Sequence, residues 1–203
     1  IIENKKNVIL IVDDYRIGFI WHKFFRKKKI KVVVIDDLLN RKFDCNLYIN
    51  YKLDTSLEFK KNLDRYINKD AIKLVGPKYS IINKKLKDIK NGSFNVMFNF
   101  GNSFDYKKVS KQIINLHKEK RKKFKKLIFL LPIGHAAKNY DEILKYSKKN
   151  KTFNVILKKF GISDYLNKTN LFIGSASNSI YEMAYIKKPS IFIVINKTQQ
   201  YNV

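Results

Sequence analysis

Apolar runs of strand length alternate with amphipathic stretches of helical length along most of the chain. Asn7–Val12 (NVILIV) is a continuous apolar run that stops at Asp13, Asp14 and Tyr15. It predicts a buried strand with polar groups at its carboxyl end, where open parallel sheets hold their ligands. The spacing then predicts a helix from about Gly18 to Lys28, with Ile20, Phe24 and Phe25 on one face. Lys31–Ile35 (KVVVI) is the next strand, and it too ends in acids, Asp36 and Asp37. Strand, helix and strand at this spacing imply a parallel pair joined by a right-handed crossover. The segment DCNLYIN reads as another short strand. After a lysine-rich polar stretch, Leu74–Tyr79 brings a Gly-Pro turn, and Ser80–Lys90 reads as a helix bridging to a second unit.

Lys90–Ser93 (KNGS) is the candidate boundary. It divides the chain into an N-terminal Rossmann-like unit, residues 1–90, and a C-terminal unit, residues 91–203. Beyond the boundary the alternation is regular. Strands are predicted at Asn95–Phe98, Lys126–Leu131 and near Phe153–Leu157, with helices from about Asp105 to Lys118, Tyr140 to Lys149 and Ser163 to Lys168. Together with the two strands that follow, this is the pattern of a doubly wound parallel sheet. The fold class is therefore α/β with two Rossmann-like units, and a crevice between them is the default place for a ligand.

The richest stretch is Asn170–Asn202, read as strand, small-residue loop, helix and strand. Leu171–Ile173 is the strand, Gly174–Ser177 allow tight turning, and Asn178 or Ser179 can cap a helix whose first turn carries Glu182. Pro189 ends that helix and Ser190–Ile195 returns as a strand. Small residues opening a helix present free N–H groups and a partial positive charge, which suit a diphosphate. A carboxylate one turn on, Glu182, could accept both hydroxyls of a ribose. The same pattern also fits an ordinary strand-to-helix turn with Glu182 as a solvated acid.

Composition narrows the partners. The 203 residues carry a formal net charge of +26, with basic runs such as KFFRKKK and KEKRKKFKK. Such runs suit nucleic acid or an anionic membrane surface. Yet lysine is spread over most predicted helices, asparagine and isoleucine are also abundant, and no aromatic-interleaved RNA-binding signature is present. The joint enrichment is what AT-rich coding supplies. The charge is thus read as solvated helix faces, without a specific nucleic-acid site, and a weak contact with an anionic membrane surface stays open. The single Cys45 excludes an internal disulfide and fits a reducing cytoplasm. No acidic cluster calls for a metal, no cofactor is implied, and no run has the apolar length of a membrane span.

With these motifs in order, the chain resembles the nucleotide-sugar hydrolases of pseudaminic acid biosynthesis and the related spore coat polysaccharide proteins. VDDYRIGFIW is similar to the family's Asp-x-Tyr segment with a Trp several residues on, carried here by Asp13, Tyr15 and Trp21. VVVIDDLLNRKFDCNLYIN resembles its Asp-Asp leader, basic residue, Asp-Cys and strand ending in Asn. LVGPKYSIIN is like its Gly-Pro-x-Tyr signature, FNFGNSFD like a glycine-rich turn with Asp, and GSASNSIYE like a turn ending in Trp-Glu. The C-terminal stretch is also similar to family 28 glycosyltransferases. The resemblance implies a two-domain GT-B architecture that binds UDP mainly through the C-terminal half. The reaction it implies is release of UDP from a UDP-diacetamido-trideoxyhexose by water attacking the anomeric carbon. It assigns substrate contacts to Tyr15, Gly174, Asn178, Ser179, Glu182 and Gln199, with Tyr15 facing the sugar across the cleft. A transferase acting on an acceptor sugar or lipid, and a non-catalytic UDP-sugar binding remnant, remain as alternatives.

The departures from the pattern carry their own expectations. The family's catalytic histidine lies in a glycine-rich loop, and none of His22, His117 or His135 has such a context. No catalytic residue is assigned, and the chain reads as truncated at both ends. Ala176 and Ser177 stand where the family has glycines, so a Cβ at Ala176 is expected to crowd the phosphates.

Overall fold

The computed structural model describes residues 8–54, 56–90, 92–101, 109–124, 127–133, 140–157 and 162–202. One compact unit ends at Ile81 and a second begins at Ile82. In the first, β1 (Ile9–Val12), α1 (Phe19–Lys27), β2 (Lys31–Ile35), β3 (Leu47–Asn50), α2 (Leu57–Tyr66) and β4 (Ile72–Val75) follow in sequence. The four strands are parallel and lie in the order β1-β2-β3-β4. Paired residues of parallel strands share a face, so the register sorts the side chains. Val12, Val32, Val34 and Tyr48 point to one face and pack with Phe43, Phe59 and Ile67 into a core. The α2 side chains Phe59 and Leu63 and the α1 side chain Phe25 join that same core.

The opposite face of this sheet is aliphatic. The pairings align Ile11, Val33, Leu47 and Ile72 in one row and Ile35, Ile49 and Leu74 in the next. Ile9, Ile11 and Ile72 are 62%, 64% and 64% exposed. The first apolar run therefore forms a strand buried on one side only, because both described helices of the unit pack on that side. Helix α1 also turns a different side inward from the one its pattern suggests. Phe25 and the fully buried His22 face the core, while Ile20 and Phe24 are 82% and 48% exposed. Helix α2, inside the lysine-rich stretch, has no counterpart among the predicted elements. Ser56 caps it by accepting the Phe59 N–H at 3.1 Å, and Phe59, Leu63 and Tyr66 supply its inward stripe.

The second unit holds a five-stranded parallel sheet in the order β7-β6-β5-β8-β9. Its elements are β5 (Phe94–Asn99), α3 (Val109–Lys120), β6 (Leu127–Ile133), α4 (Tyr140–Lys148), β7 (Phe153–Leu157), α5 (Ser163–Asn167), β8 (Leu171–Ser175), α6 (Ser179–Tyr185) and β9 (Ser190–Ile193). Strand order reverses about β5, as a doubly wound sheet requires. Val96, Phe98, Ile113, Phe129 and Ile143 form the core on one face, and Met97, Leu130, Phe172 and Met183 form it on the other.

Ser80–Lys90 is not helical. Its backbone is held from outside instead. Asn167 accepts the Lys87 N–H at 2.8 Å and donates to the Lys85 carbonyl at 3.0 Å, and its own carbonyl accepts the Ile89 N–H. Leu86 is buried in the second core and Lys188 is ion-paired with Asp88. These ties place the segment from Ile82 onward in the second unit, and satisfy backbone groups that a helix would otherwise bond internally.

Candidate functional site

The turn after β8 is where polar groups gather in the second unit. Gly174 lies inside β8 rather than in the loop, paired with Asn99 and Phe192 on its two neighbours. A Cβ on it would sit 2.2 Å from the Asn99 carbonyl oxygen and 2.8 Å from the Phe172 ring. Its smallness thus serves close strand packing, and the turning is left to the residues after it. Ala176 donates its N–H to the Ile193 carbonyl at 3.0 Å and is fully buried. Its methyl group faces protein and offers no obstruction to a ligand outside, contrary to the expected crowding.

Ser175, Ser177 and Ser179 carry a row of hydroxyls, with Oγ–Oγ distances of 3.4 Å and 3.5 Å. Asn178 is exposed at the N-cap position of α6, with helical φ and ψ and no side-chain cap bond. The Ile180 and Tyr181 amides turn back to the Ser177 and Asn178 carbonyls. Fewer first-turn N–H groups are therefore free than the sequence suggests.

Glu182 follows one turn into α6. Its side chain is half-buried, and among the described residues it has neither a cationic neighbour nor a hydrogen-bond donor. Burial alone pushes its carboxyl above the ordinary glutamate range. Next to this turn, the chain leaving β9 folds into a short 3-10 stretch, Lys197–Asn202. There Gln199 is largely buried, and its Oε1 accepts the Ile195 N–H at 3.1 Å. The Gln199 carbonyl oxygen is thus occupied in shaping the loop, and only its amide nitrogen remains to donate. Gly174, Asn178, Ser179, Glu182 and Gln199 all belong to the second unit, at or after the carboxyl ends of β8 and β9.

Tyr15 belongs to the first unit. It follows β1, is 57% exposed, and donates its hydroxyl to Asp37 Oδ1 at 2.5 Å. Burial, and then that bond, raise its hydroxyl above the usual tyrosine range. Two cations that sequence patterning assigns no role complete this strand end. Lys52, 6% exposed, lies 3.6 Å from Asp37 Oδ2. Arg41 lies 2.7 Å from the buried Asp36, donates to the Asp14 carbonyl, and covers the rings of Phe43 and Tyr15. The signal for Arg41 was the Asp-Asp leader followed by a basic residue. Asp36 Oδ1 takes the Leu38 and Leu39 amides, a turn role. The Asp14 carboxyl is held down to about 2 by its bonds from Arg16. Asp13 stays exposed at the same strand end.

Neither described histidine opens on these groups. His117 is fully buried, with Nδ1 2.8 Å from the Tyr146 hydroxyl and Nε2 3.0 Å from the Thr152 hydroxyl. His22 is fully buried against Phe43, with no partner on either nitrogen among the described residues. His135 lies outside the described residues. Among the described residues no group of three His, Cys, Asp or Glu is arranged to hold a metal, and no helix is long and apolar enough to cross a membrane.

No protein-family model matches the chain, and no curated protein matches it in sequence. Among solved structures it is similar to a co-structure of MnaA from S. aureus with UDP, at 12% identity and a TM-score of 0.53. The alignment covers 91% of this chain and 57% of that one, so the chain spans little more than half of its neighbour's length. What the likeness shows is the fold: an α/β chain of the GT-B-like kind, built from two Rossmann-like units with parallel sheets of four and five strands.

Proposed function

We propose that the second unit binds the nucleotide end of a UDP-sugar at the turn from Gly174 to Glu182. The observation that carries this reading is the Glu182 carboxylate, half-buried one turn beyond a row of serine hydroxyls and without a partner among the described residues. Burying a charged group without a partner is unfavourable, and donors arriving with a ligand would remove that penalty. A ribose offers two hydroxyl donors at neighbouring carbons. The Asn178 side chain and the serine hydroxyls would serve the diphosphate, and the Gln199 amide would donate to phosphate or sugar. The UDP held by the MnaA structure, in a chain of like fold, supports the choice of nucleotide.

The finer proposal is hydrolysis of a UDP-diacetamido-trideoxyhexose, with water attacking the anomeric carbon as UDP leaves. It rests on the motif resemblance and requires a base for the water. Neither His22 nor His117 is placed to be that base, since each is sealed in a core.

Calorimetric titration of UDP tests the binding. The wild type should bind, and Glu182→Ala should bind about tenfold to a hundredfold more weakly, as expected for loss of a charge-assisted hydrogen bond. No binding by the wild type, or an unaffected variant, would remove the proposal. Incubation with UDP-sugars, followed by NMR for free UDP and free sugar without added acceptor, tests the reaction.

A further inference from the structure

Helix α1 carries the most exposed large apolar side chain among the described residues, Ile20 at 82%. Phe24, one turn on, is 48% exposed, and Trp21 beside it 58%. Lys27 continues the Ile20–Phe24 stripe, Lys23 flanks it on one side and Lys28 on the other, and all three lysines are exposed. The apolar ridge is rigid. Trp21 stacks on Phe25 at 6.2 Å between centroids, Phe24 meets Phe25 edge-on at 5.2 Å, and Phe25 itself is seated in the core. The Lys28 ammonium lies 4.8 Å from the Phe24 ring centre, so charge and ring share one surface.

The electrostatics of this surface have one sign. No carboxylate occurs in sequence between Asp14 and Asp36. Among the described residues, Asp44 and Asp70 reach the helix and are both paired with Arg26. A second copy of the chain would bring the same positive face to this one. The complement is a surface that is anionic at its boundary and apolar beneath, which describes a bilayer containing acidic phospholipid. Tryptophan prefers that boundary, and lysine stems can lie along it with their ammonium groups in the headgroup layer. An aliphatic tip such as Ile20 has no polar atom with which to contact a base edge, so nucleic acid fits the ridge less well.

We infer that the outward face of α1, Ile20, Trp21 and Phe24 flanked by Lys23, Lys27 and Lys28, is a docking surface for an anionic phospholipid membrane. The inference concerns the first unit and stands apart from the nucleotide reading of the second.

Trp21 is the chain's one tryptophan, so its fluorescence reports on this surface directly. The protein is mixed with vesicles of phosphatidylglycerol and phosphatidylcholine, or of phosphatidylcholine alone, at low and at physiological salt. Expected with the anionic vesicles are co-sedimentation and a blue shift of Trp21 emission, both weakened by salt. The double variant Ile20→Ser/Phe24→Ser removes the two apolar side chains of the stripe and keeps every charge. It should lose the blue shift and partition about tenfold more weakly or worse. The triple variant Lys23→Gln/Lys27→Gln/Lys28→Gln should lose the preference for anionic lipid. Circular dichroism establishes that each variant is folded. Binding to anionic vesicles without a Trp21 shift, or unchanged binding by the serine variant, would overturn the proposal in favour of diffuse attraction by the whole basic surface. A Trp21 response to an RNA oligonucleotide but not to vesicles would overturn it as well.

Discussion

Two buried titratable side chains bear opposite relations to pH, and each can be read by a single substitution. Glu182 holds its proton more tightly in the folded protein than in the unfolded chain, because burial disfavours its charge. Stability therefore falls as pH rises from the ordinary glutamate range through the raised value, and stays lower above it. Glu182→Gln removes that loss. The variant should unfold at a higher temperature than wild type at pH 7 without ligand and show no advantage near pH 3, even as it loses affinity for UDP. Scans of thermal unfolding against pH check this, and a variant less stable at neutral pH would contradict it. His22 runs the other way. Burial first, and then the Arg41 charge, lower its basicity, against smaller opposing effects of Asp44 and Asp36. The unfolded chain takes up the proton first, so stability is complete above the ordinary histidine value and is lost as pH falls through it toward the lowered one. Both ring nitrogens also lack partners among the described residues. His22→Leu should therefore stabilise the protein by about 1–3 kcal/mol in urea unfolding. Its advantage should be larger at pH 5 than at pH 8.

At the scale of elements, what was legible in the sequence depended on where each segment finds its hydrogen bonds and its cover. The strands of the second sheet were readable because β5, β6 and β7 are largely apolar and contribute to a core on each face of the sheet. Segment Ser80–Lys90 misled because helical composition says nothing of a distant Asn167 ready to bond its backbone. Helix α2 went unread because Phe59, Leu63 and Tyr66 are diluted among lysines, though their spacing and the Ser56 cap were there to be counted. At the candidate site, the position of the turn was visible while its working parts were not. Glu182 could be placed on a first turn, but whether it had a partner depends on the fold around it. Gly174 reads as a turn residue and is a strand residue. Its close approach to β5 gives a sharp expectation: Gly174→Ala should destabilise the protein by about 1–3 kcal/mol or more, since the nearest obstacle is the Asn99 backbone, which cannot rotate aside. Ala176→Gly, next along but sealed in protein, should cost about 0.5–1 kcal/mol. Denaturant melts of the two variants distinguish them, and an unperturbed Gly174→Ala would mean that the two strands can separate.

For the molecule as a whole, the first sheet sets an aliphatic face against an excess of positive charge. Parallel sheets are ordinarily covered on both sides, and a face with Ile9, Ile11 and Ile72 this exposed favours association with any apolar surface. Mutual repulsion between chains of formal charge +26 opposes that association in dilute buffer. That repulsion is long-ranged only while salt is scarce, because the screening length shrinks from about 30 Å at 0.01 M to about 3 Å at 1 M. The colloidal behaviour should then invert the usual salting-in of a charged protein. Monodisperse solutions at low ionic strength should give way to growing light scattering as sodium chloride is added. An Ile11→Lys substitution, which puts a charge at the exposed β1 edge of that face, should move the onset to higher salt. Scattering that is flat in salt, or an onset the substitution leaves unmoved, would mean the aliphatic face is not what brings the molecules together. Storage and crystallisation conditions for this protein would then be governed less by its pI than by the side of one four-stranded sheet.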